Sequence, residues 1–137
     1  MSYDEIRTGT VVEYQFLWSR EADRGETEGR KPRPTAVAYR VERKDHSAVY
    51  LMPITSRSPL GSALGVEIPE IEKRRAGLDS DLRLWIIIDE INFDIIPHSH
   101  VLEPDAKIGK FGKPFFQKVL KLWIANFKRT KTVSRLD

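Results

Sequence analysis

Two short segments of this chain carry the residue types best suited to chemistry: an arginine between two prolines, and a pair of hydroxyl residues farther along. Arg33 stands between Pro32 and Pro34, and the prolines restrict the backbone on both sides, so the guanidinium extends from a stiffened segment. Its planar fork matches two oxygens of a phosphate. Thr55 and Ser56 follow a hydrophobic run and can donate hydrogen bonds to phosphate oxygens. These residue types favour an anion site, although a proline that protects an edge strand, beside ordinary turn hydroxyls, would give the same pattern.

Other residues raise the question of metal chemistry. His98 and His100 would share one face of an extended segment, as two metal ligands do, but no third ligand accompanies them. Four acidic residues are the candidates for holding Mg²⁺: Asp79, Asp81, Asp89 and Glu90. Scattered acids of this kind are more typical of a solvated face. Because the chain has no cysteine, zinc–thiolate sites, iron–sulfur clusters and cysteine nucleophiles are excluded. The sequence predicts no metal and no cofactor.

Short strands are the elements that must position these side chains. Runs of β-branched and aromatic residues predict strands at 9–17, 35–42, 47–55, 63–68 and 83–90, and a further short strand near 100–103. The polar turn at 44–46 makes the second and third of these a hairpin. Residues 20–34 carry nine charges and little that can be buried, so they are predicted to form a loop.

Two helices are predicted. Pro69 before residues 70–76 and Gly77 after them are typical of a short helix. From Pro114 onward, apolar residues recur at three- and four-residue spacing and predict a C-terminal amphipathic helix. Its apolar residues are Phe116, Val119, Leu120, Trp123 and Phe127. Residues 129–137 are basic and polar, and we expect a frayed tail there.

Composition limits the class of protein. The 137 residues, of which 40% are hydrophobic, suit one domain that spans residues 1–137. No apolar run exceeds five residues, as at 84–88, and residues 1–7 do not resemble a secretion signal. We therefore expect a cytoplasmic protein that does not bind membranes. The predicted fold class is β-rich α+β, a small barrel closed by a helix, because no helices alternate with the strands.

Charge is divided unevenly along the chain. Residues 107–137 contain nine basic residues and one acidic residue, a net charge of +8, whereas residues 1–106 have a net charge of −5. A basic segment joined to an acidic body suits a polyanion or an acidic partner. A lysine-rich, solvated helix face is the alternative explanation.

The order of these motifs resembles the MazF/PemK family of toxin ribonucleases. Members of that family carry Arg-Pro before a hydrophobic strand, and Pro-hydrophobic-Thr-Ser/Thr at the end of the next strand. The matching residues here are Arg33 with Pro34, and Pro-Ile-Thr-Ser at 53–56.

A third match lies farther along the chain. Asp89 and Glu90, with Asn92 nearby, look like the acidic strand end of the PemK branch. The resemblance spans residues 9–103.

The sequence also departs from the family pattern. Some members have an arginine two residues before the acid, whereas this chain has Ile87 there. The role of that arginine would then be absent or supplied by Arg83 or Arg57. The extra short helix within residues 67–80 would reshape the substrate groove.

The resemblance implies an SH3-like β-barrel and a metal-independent endoribonuclease toxin of a type II toxin–antitoxin system. Such a sequence-specific enzyme cuts single-stranded RNA at short sequence motifs to 2′,3′-cyclic phosphate and 5′-hydroxyl ends, and so inhibits translation and growth. The implied catalytic residues are Arg33, Thr55, Ser56, Asp89 and Glu90. The implied RNA-binding residues are Arg20, Arg30, Lys31, Arg57 and Arg83.

The same resemblance implies partners and leaves two other functions open. The expected partners are single-stranded mRNA, an acidic antitoxin and a second copy of the chain in a homodimer. One alternative is a non-catalytic toxin of the same barrel that acts on DNA gyrase, and another is a small RNA-binding barrel without turnover. Arg33 and Thr55 favour the nuclease over the gyrase toxin, because that relative lacks the pair.

Overall fold

Strands make up most of the regular structure. The computed structural model describes residues 3–27, 29, 31–59 and 64–136, and within them the chain is a β-rich α+β protein. The strands are β1 (Thr10–Tyr14), β2 (Arg33–Glu42), β3 (Ser47–Thr55), β4 (Gly65–Glu67), β5 (Trp85–Ile87), β6 (Glu90–Ile96), β7 (Lys107–Lys110) and β8 (Lys131–Ser134). The helices are α1 (Ser19–Asp23), α2 (Glu70–Arg75) and α3 (Lys113–Ala125), followed by a 3-10 turn at Phe127–Arg129.

The β2–β3 hairpin is the centre of the sheet. β1 pairs with the outer side of β2, and β7 pairs with β1. On its other side, β3 is long enough to take two partners: its first half pairs with β6 and its last two residues pair with β5. β4 extends the sheet beyond β5, and β8 runs parallel to β6. The pairings among the described residues contain none that joins β7 to β4 or β8, so they form an open, branched path.

Side chains of the central strands pack on both faces of the sheet. Because successive residues of a strand point to opposite faces, Val11 of β1 and Ala36 of β2 join one buried cluster, whereas Val12 and Val37 join the other. The first cluster is covered by the apolar face of α3 through Phe116, Val119 and Trp123. The sheet thus has two buried faces along β1 and β2, and it is held rigid where β2 begins and β3 ends.

A close contact joins α2, β7 and α3. Gly77, with a φ of +70°, ends α2 in a left-handed conformation, which glycine adopts without steric cost. β7 then passes so close that a Cβ on Gly109 would lie 2.3 Å from the carbonyl oxygen of Ala76. The buried carboxylate of Glu72 accepts a hydrogen bond of 2.7 Å from Gly112 N–H, which precedes α3. This contact holds α2 and β7 next to each other at the protein surface.

Several sequence predictions are confirmed. The hairpin predicted at 35–42 and 47–55 is β2–β3, and the helix predicted at 70–76 is α2. The C-terminal amphipathic helix is α3, although its exposed Phe127 lies in the following turn. The strand predicted at 63–68 is β4, and Ala63 lies outside the described residues.

Other predictions are wrong, for identifiable reasons. The loop predicted at 20–34 contains α1, and β2 begins already at Arg33. The strand predicted at 83–90 is divided by a turn at Ile88 and Asp89 into β5 and the start of β6. No glycine or proline marks that turn, so β6 was missed. Residues 100–103 are not a strand, and β7 was not predicted because Gly109 interrupts its short apolar pattern.

The predicted frayed tail at 129–137 is also wrong over most of its length. Residues 131–134 form β8, which pairs with β6, and Arg135 donates a hydrogen bond of 2.6 Å to the Gln15 carbonyl. Parallel pairing with a distant strand leaves no local pattern in a basic, polar segment. Among the described residues, no helix is long and apolar enough to cross a membrane.

We predict that Gly109→Ala lowers the free energy of unfolding by ~1–3 kcal/mol, because the added methyl group must push β7 away from α2. Urea denaturation monitored by tryptophan fluorescence measures the change. Lys110→Ala, on the same strand but exposed, is the matched control and should stay within about 0.5 kcal/mol of wild type. Equal stability of the two variants would contradict the close contact.

Candidate functional site

Arg33 begins β2 and Thr55 ends β3, at the open end of the β2–β3 hairpin. Thr35 of β2 is paired with Pro53 of β3. In an antiparallel pair, moving two residues back on one strand and two forward on the other reaches the next same-face neighbours, which are Arg33 and Thr55. Both line one surface cavity of about 450 Å³, which we call the arginine cavity.

The lining of the arginine cavity is strongly basic. Its charged residues are Arg20, Lys31, Arg33, Arg57 and Glu90, and its hydroxyl residues are Thr55, Ser56 and Ser58. Four cations against one carboxylate favour a ligand with negative charge. Guanidinium, ammonium and hydroxyl groups are also the donors that hold phosphate oxygens.

Trp18 is the platform on which two of these cations rest. The guanidinium carbons of Arg20 and Arg33 lie 5.4 and 5.3 Å from the centre of the indole ring, within the range of a cation–π interaction. Burial lowers the pKa of Arg33, and the nearby positive charge of Arg20 lowers it further, whereas the carboxylate of Glu21 opposes both effects. Among the described residues, no acceptor bonds the buried Nε of Arg33.

Strand β6 fixes the segment that carries Trp18. The buried amide of Asn92 bonds Leu17 twice: Leu17 N–H donates to Oδ1 at 2.9 Å, and Nδ2 donates to the Leu17 carbonyl at 2.7 Å. Glu90 Oε1 accepts a hydrogen bond of 2.8 Å from Ser19 N–H. Trp18 itself donates its N–H to Glu21 Oε1 at 3.1 Å, which caps α1. The backbone is thus held on both sides of the indole.

Asn92 also contacts a network of polar side chains that begins with Arg135. Arg135 donates to Asn92 Oδ1 at 3.1 Å, and its guanidinium lies 5.3 Å from the ring centre of Tyr14. The Tyr14 hydroxyl donates to Asp94 at 2.8 Å, and Ser99 donates to the same carboxylate oxygen at 2.6 Å. Burial raises the pKa of Tyr14 far above its ordinary value, and the charge of Asp94 adds to the effect. Tyr14 therefore stays protonated and keeps donating to Asp94.

The structure brings together four of the five residues predicted to be catalytic. Arg33, Thr55, Ser56 and Glu90 all line the arginine cavity. Asp89 is not among the lining residues; its carboxylate accepts a hydrogen bond of 3.1 Å from Leu64 N–H. Of the two adjacent acids, Glu90 is therefore the one placed beside the cations.

Only some of the predicted RNA-binding residues lie at the arginine cavity. Arg20, Lys31 and Arg57 line the arginine cavity. Arg83 lies elsewhere: it makes two hydrogen bonds, of 3.0 and 2.8 Å, to the carboxylate of Glu67, and its guanidinium lies 5.0 Å from the ring centre of Trp85. Arg30 lies outside the described residues.

Ile87, at the position where the resemblance would lead one to expect an arginine, lines the same cavity as Arg57. Of the two suggested substitutes for that arginine, Arg57 is thus in the cavity and Arg83 is not.

Trp18 is the residue that the sequence analysis did not single out. Isolated tryptophans are usually core residues, and Trp85 and Trp123 are indeed buried, but Trp18 is only half-buried and lines the cavity. The sequence offers no clear signal for it: Glu21 stands at the spacing of the glutamate in a capping box and accepts the Trp18 N–H, but that motif is recognised by Ser or Thr at the first position.

No part of the described chain gathers three or more His, Asp or Glu side chains as a metal site would require. In comparisons with protein-family models, curated proteins and solved structures, nothing matches the chain.

We predict that Asn92→Ala lowers the free energy of unfolding by about 2–5 kcal/mol, because Leu17 N–H and its carbonyl lose their partners in the protein interior. Urea denaturation measures the loss. Gln117→Ala is the control: it removes an exposed amide side chain on α3 and should change the free energy of unfolding by less than about 0.5 kcal/mol. A stable Asn92→Ala protein would show that Trp18 is held by other contacts.

Proposed function

We propose that the chain is a metal-independent endoribonuclease of the MazF/PemK type, which cuts single-stranded RNA. The observation that carries this proposal is that Arg33 and Thr55 line one cavity together with three further cations and one acidic residue. A phosphodiester carries the negative charge that this lining favours, and its two non-bridging oxygens match the donors of Arg33 and Thr55.

In the proposed reaction, the ribose 2′-oxygen attacks the adjacent phosphorus while the bond from phosphorus to the 5′-oxygen breaks. Glu90 takes the proton of the 2′-hydroxyl, and the leaving 5′-oxygen takes a proton from water at the open side of the cavity. The products are a 2′,3′-cyclic phosphate and a 5′-hydroxyl. Arg33 stabilises the extra negative charge of the phosphorane, and Thr55 donates to a non-bridging oxygen, which keeps the phosphate in line.

Glu90 is preferred to Asp89 as the base. Glu90 accepts the Ser19 hydrogen bond through Oε1, and Glu90 is one of the residues that line the arginine cavity. A general base must come within hydrogen-bond distance of the proton that it removes. Asp89 does not line that cavity and holds Leu64 instead.

The barrel form of the sheet is part of the same proposal. We take the sheet to be a curled, SH3-like barrel in which β3 bends from β6 to β5. Register shifts in β1 and in β2 support strong local curvature. α3 packs across the first buried cluster, at the position that a closing helix would occupy.

The proposed biological role is that of a cytoplasmic toxin that inhibits translation and growth, with an acidic antitoxin and a homodimeric state. The net charge of +8 over residues 107–137 supports an acidic partner. Exposed apolar side chains at the end of α3, Ile124 and Phe127 at 68% and 57% exposure, support a protein–protein contact there.

The direct test is incubation of the purified protein with a long single-stranded RNA in EDTA. We expect cleavage, with 5′-hydroxyl and cyclic phosphate ends. Retention of uncut RNA would instead support a binding protein without turnover, and cleavage that needs added Mg²⁺ would contradict the proposed chemistry.

We predict that Arg33→Ala lowers the cleavage rate by about 10²–10³-fold, because a preorganised charge is lost from the transition state. Arg83→Ala is the matched control, since Arg83 also lies over a tryptophan but outside the arginine cavity. Arg83→Ala should cut at close to the wild-type rate. Equal rates for the two variants would remove Arg33 from the active site.

Glu90→Gln should lower the cleavage rate by about 10²-fold or more through loss of the general base. The glutamine carbonyl can still accept from Ser19 N–H, so the melting temperature should not change. Asp89→Asn likewise keeps an acceptor for Leu64 and should retain activity. If Asp89→Asn is the inactive variant, the base has been assigned to the wrong acid.

A further inference from the structure

The connection from α2 to β5, residues 76–84, forms one wall of a second cavity, of about 460 Å³, beside the arginine cavity. We call this second cavity the side cavity. The two cavities share Lys31, Arg33, Thr55 and Ser56. A polymer held at Arg33 can therefore extend directly into the side cavity and along this wall.

Individual contacts decide where the wall stands, because the connection contains no helix or strand between α2 and β5. At its two ends, Leu78 N–H donates to the Lys73 carbonyl and Ile68 N–H donates to the Leu84 carbonyl, both at 2.8 Å. The residues of the connection that line the side cavity are Gly77, Leu78, Asp79, Leu82 and Leu84. The middle of the connection thus carries part of the lining and needs a contact of its own.

Lys73 holds the middle of the connection from inside the protein. It lies on α2 and is only 7% exposed, which is rare for a lysine. Its Nζ donates hydrogen bonds to the carbonyl of Leu82 at 2.6 Å and to the carbonyl of Ser80 at 3.2 Å. Hydrogen bonds from a charged donor are stronger than those between neutral groups, so one ammonium group fixes two points of the wall.

A second side chain fastens the connection on its outer side. Arg83 makes hydrogen bonds of 3.0 and 2.8 Å to the carboxylate of Glu67 on β4. These two side chains are 72% and 45% exposed, and exposed ion pairs contribute little because water screens them. The buried ammonium group of Lys73 is therefore the stronger of the two attachments.

Loss of that ammonium group would free the middle of the connection without unfolding the sheet. Ser80 and Leu82 are both exposed, so their carbonyls can exchange Lys73 for water in other positions of the chain. Segments held by few contacts open at a low cost in free energy. A ligand that needs the wall in one position then binds only the fraction of molecules that have it there.

We propose that Lys73 is a positioning residue of the RNA site: by holding the carbonyls of Ser80 and Leu82, it keeps the wall of the side cavity where bound RNA contacts it. Lys73 lines neither cavity, so it acts through the connection and not by touching RNA. This inference rests on the proposed function for its ligand, single-stranded RNA, but not on cleavage.

Lys73→Met tests the inference, because methionine keeps an unbranched apolar side chain and lacks the ammonium group. KM for cleavage of single-stranded RNA should rise about tenfold, as expected if the wall is in its binding position about a tenth of the time. Arg33, Thr55 and Glu90 lie on other elements, so kcat should stay within about twofold of wild type.

Two further measurements on Lys73→Met do not involve cleavage. The dissociation constant of a 2′-O-methyl single-stranded RNA, in which the attacking hydroxyl is blocked, should rise by the same factor as KM. Backbone amides of residues 78–84 should exchange hydrogen faster than in wild type, while those of β2 and β3 keep their rates.

Three other variants show whether the effect belongs to this wall. Ser80→Gly loosens the same exposed segment through the backbone and should raise KM by about two- to fourfold, even if Lys73→Met does not fold. Val119→Ala lowers stability from the core beneath α3 and should leave KM unchanged. Arg83→Ala removes only the exposed attachment and should raise KM less than about twofold.

The outcomes separate the role of Lys73 from the nuclease. If Lys73→Met and Ser80→Gly cut RNA with wild-type KM, or if Val119→Ala raises KM as much as Lys73→Met, the inference is overturned while the proposed function stands. If the wild-type protein binds the blocked RNA but does not cut RNA in EDTA, the proposed reaction is overturned, and the dissociation constants alone decide on Lys73. A wild-type protein that binds no RNA would overturn both.

Discussion

The candidate site depends on the two hydrogen bonds by which Asn92 holds Leu17. They fix the point at which the chain leaves β1 and turns into α1, and so they fix the indole of Trp18. Arg20 and Arg33 come from different elements, and both lie against that ring. Because Asn92 is fully buried, its amide cannot exchange these partners for water at no cost. A short irregular segment thereby becomes as rigid as the sheet beneath it.

Holding four cations in one cavity opposes folding, because like charges repel and burial removes their hydration. Several features of the chain reduce that cost. Trp18 offers a ring face to two guanidinium groups, Glu21 lies close enough to oppose the loss of charge on Arg33, and Glu90 adds a carboxylate at the rim. The remaining excess of positive charge favours an anionic ligand. The same four cations therefore lower the stability of the fold and set the preference for a negatively charged ligand.

The resemblance grouped Arg33, Thr55 and Ser56, and they line one cavity because they lie where β2 begins and β3 ends. The register of that hairpin follows from a short turn and local alternation. The sequence did not predict the platform, since the position of Trp18 depends on β6, a strand far along the chain. It could not separate Asp89 from Glu90, because the unmarked turn between β5 and β6 decides which carboxylate reaches the cavity. The pairing of β8 with β6 could not be predicted either, because no local sequence pattern indicates it.

Arg135 gives the molecule an order of assembly during synthesis. Its guanidinium bonds Gln15 and Asn92, so a residue translated after every member of the arginine cavity completes the support of Trp18. While residues 131–135 are still within the ribosomal tunnel, neither β8 nor this guanidinium is in place. A nascent chain can therefore form the β2–β3 hairpin before the last contact that supports Trp18 is in place.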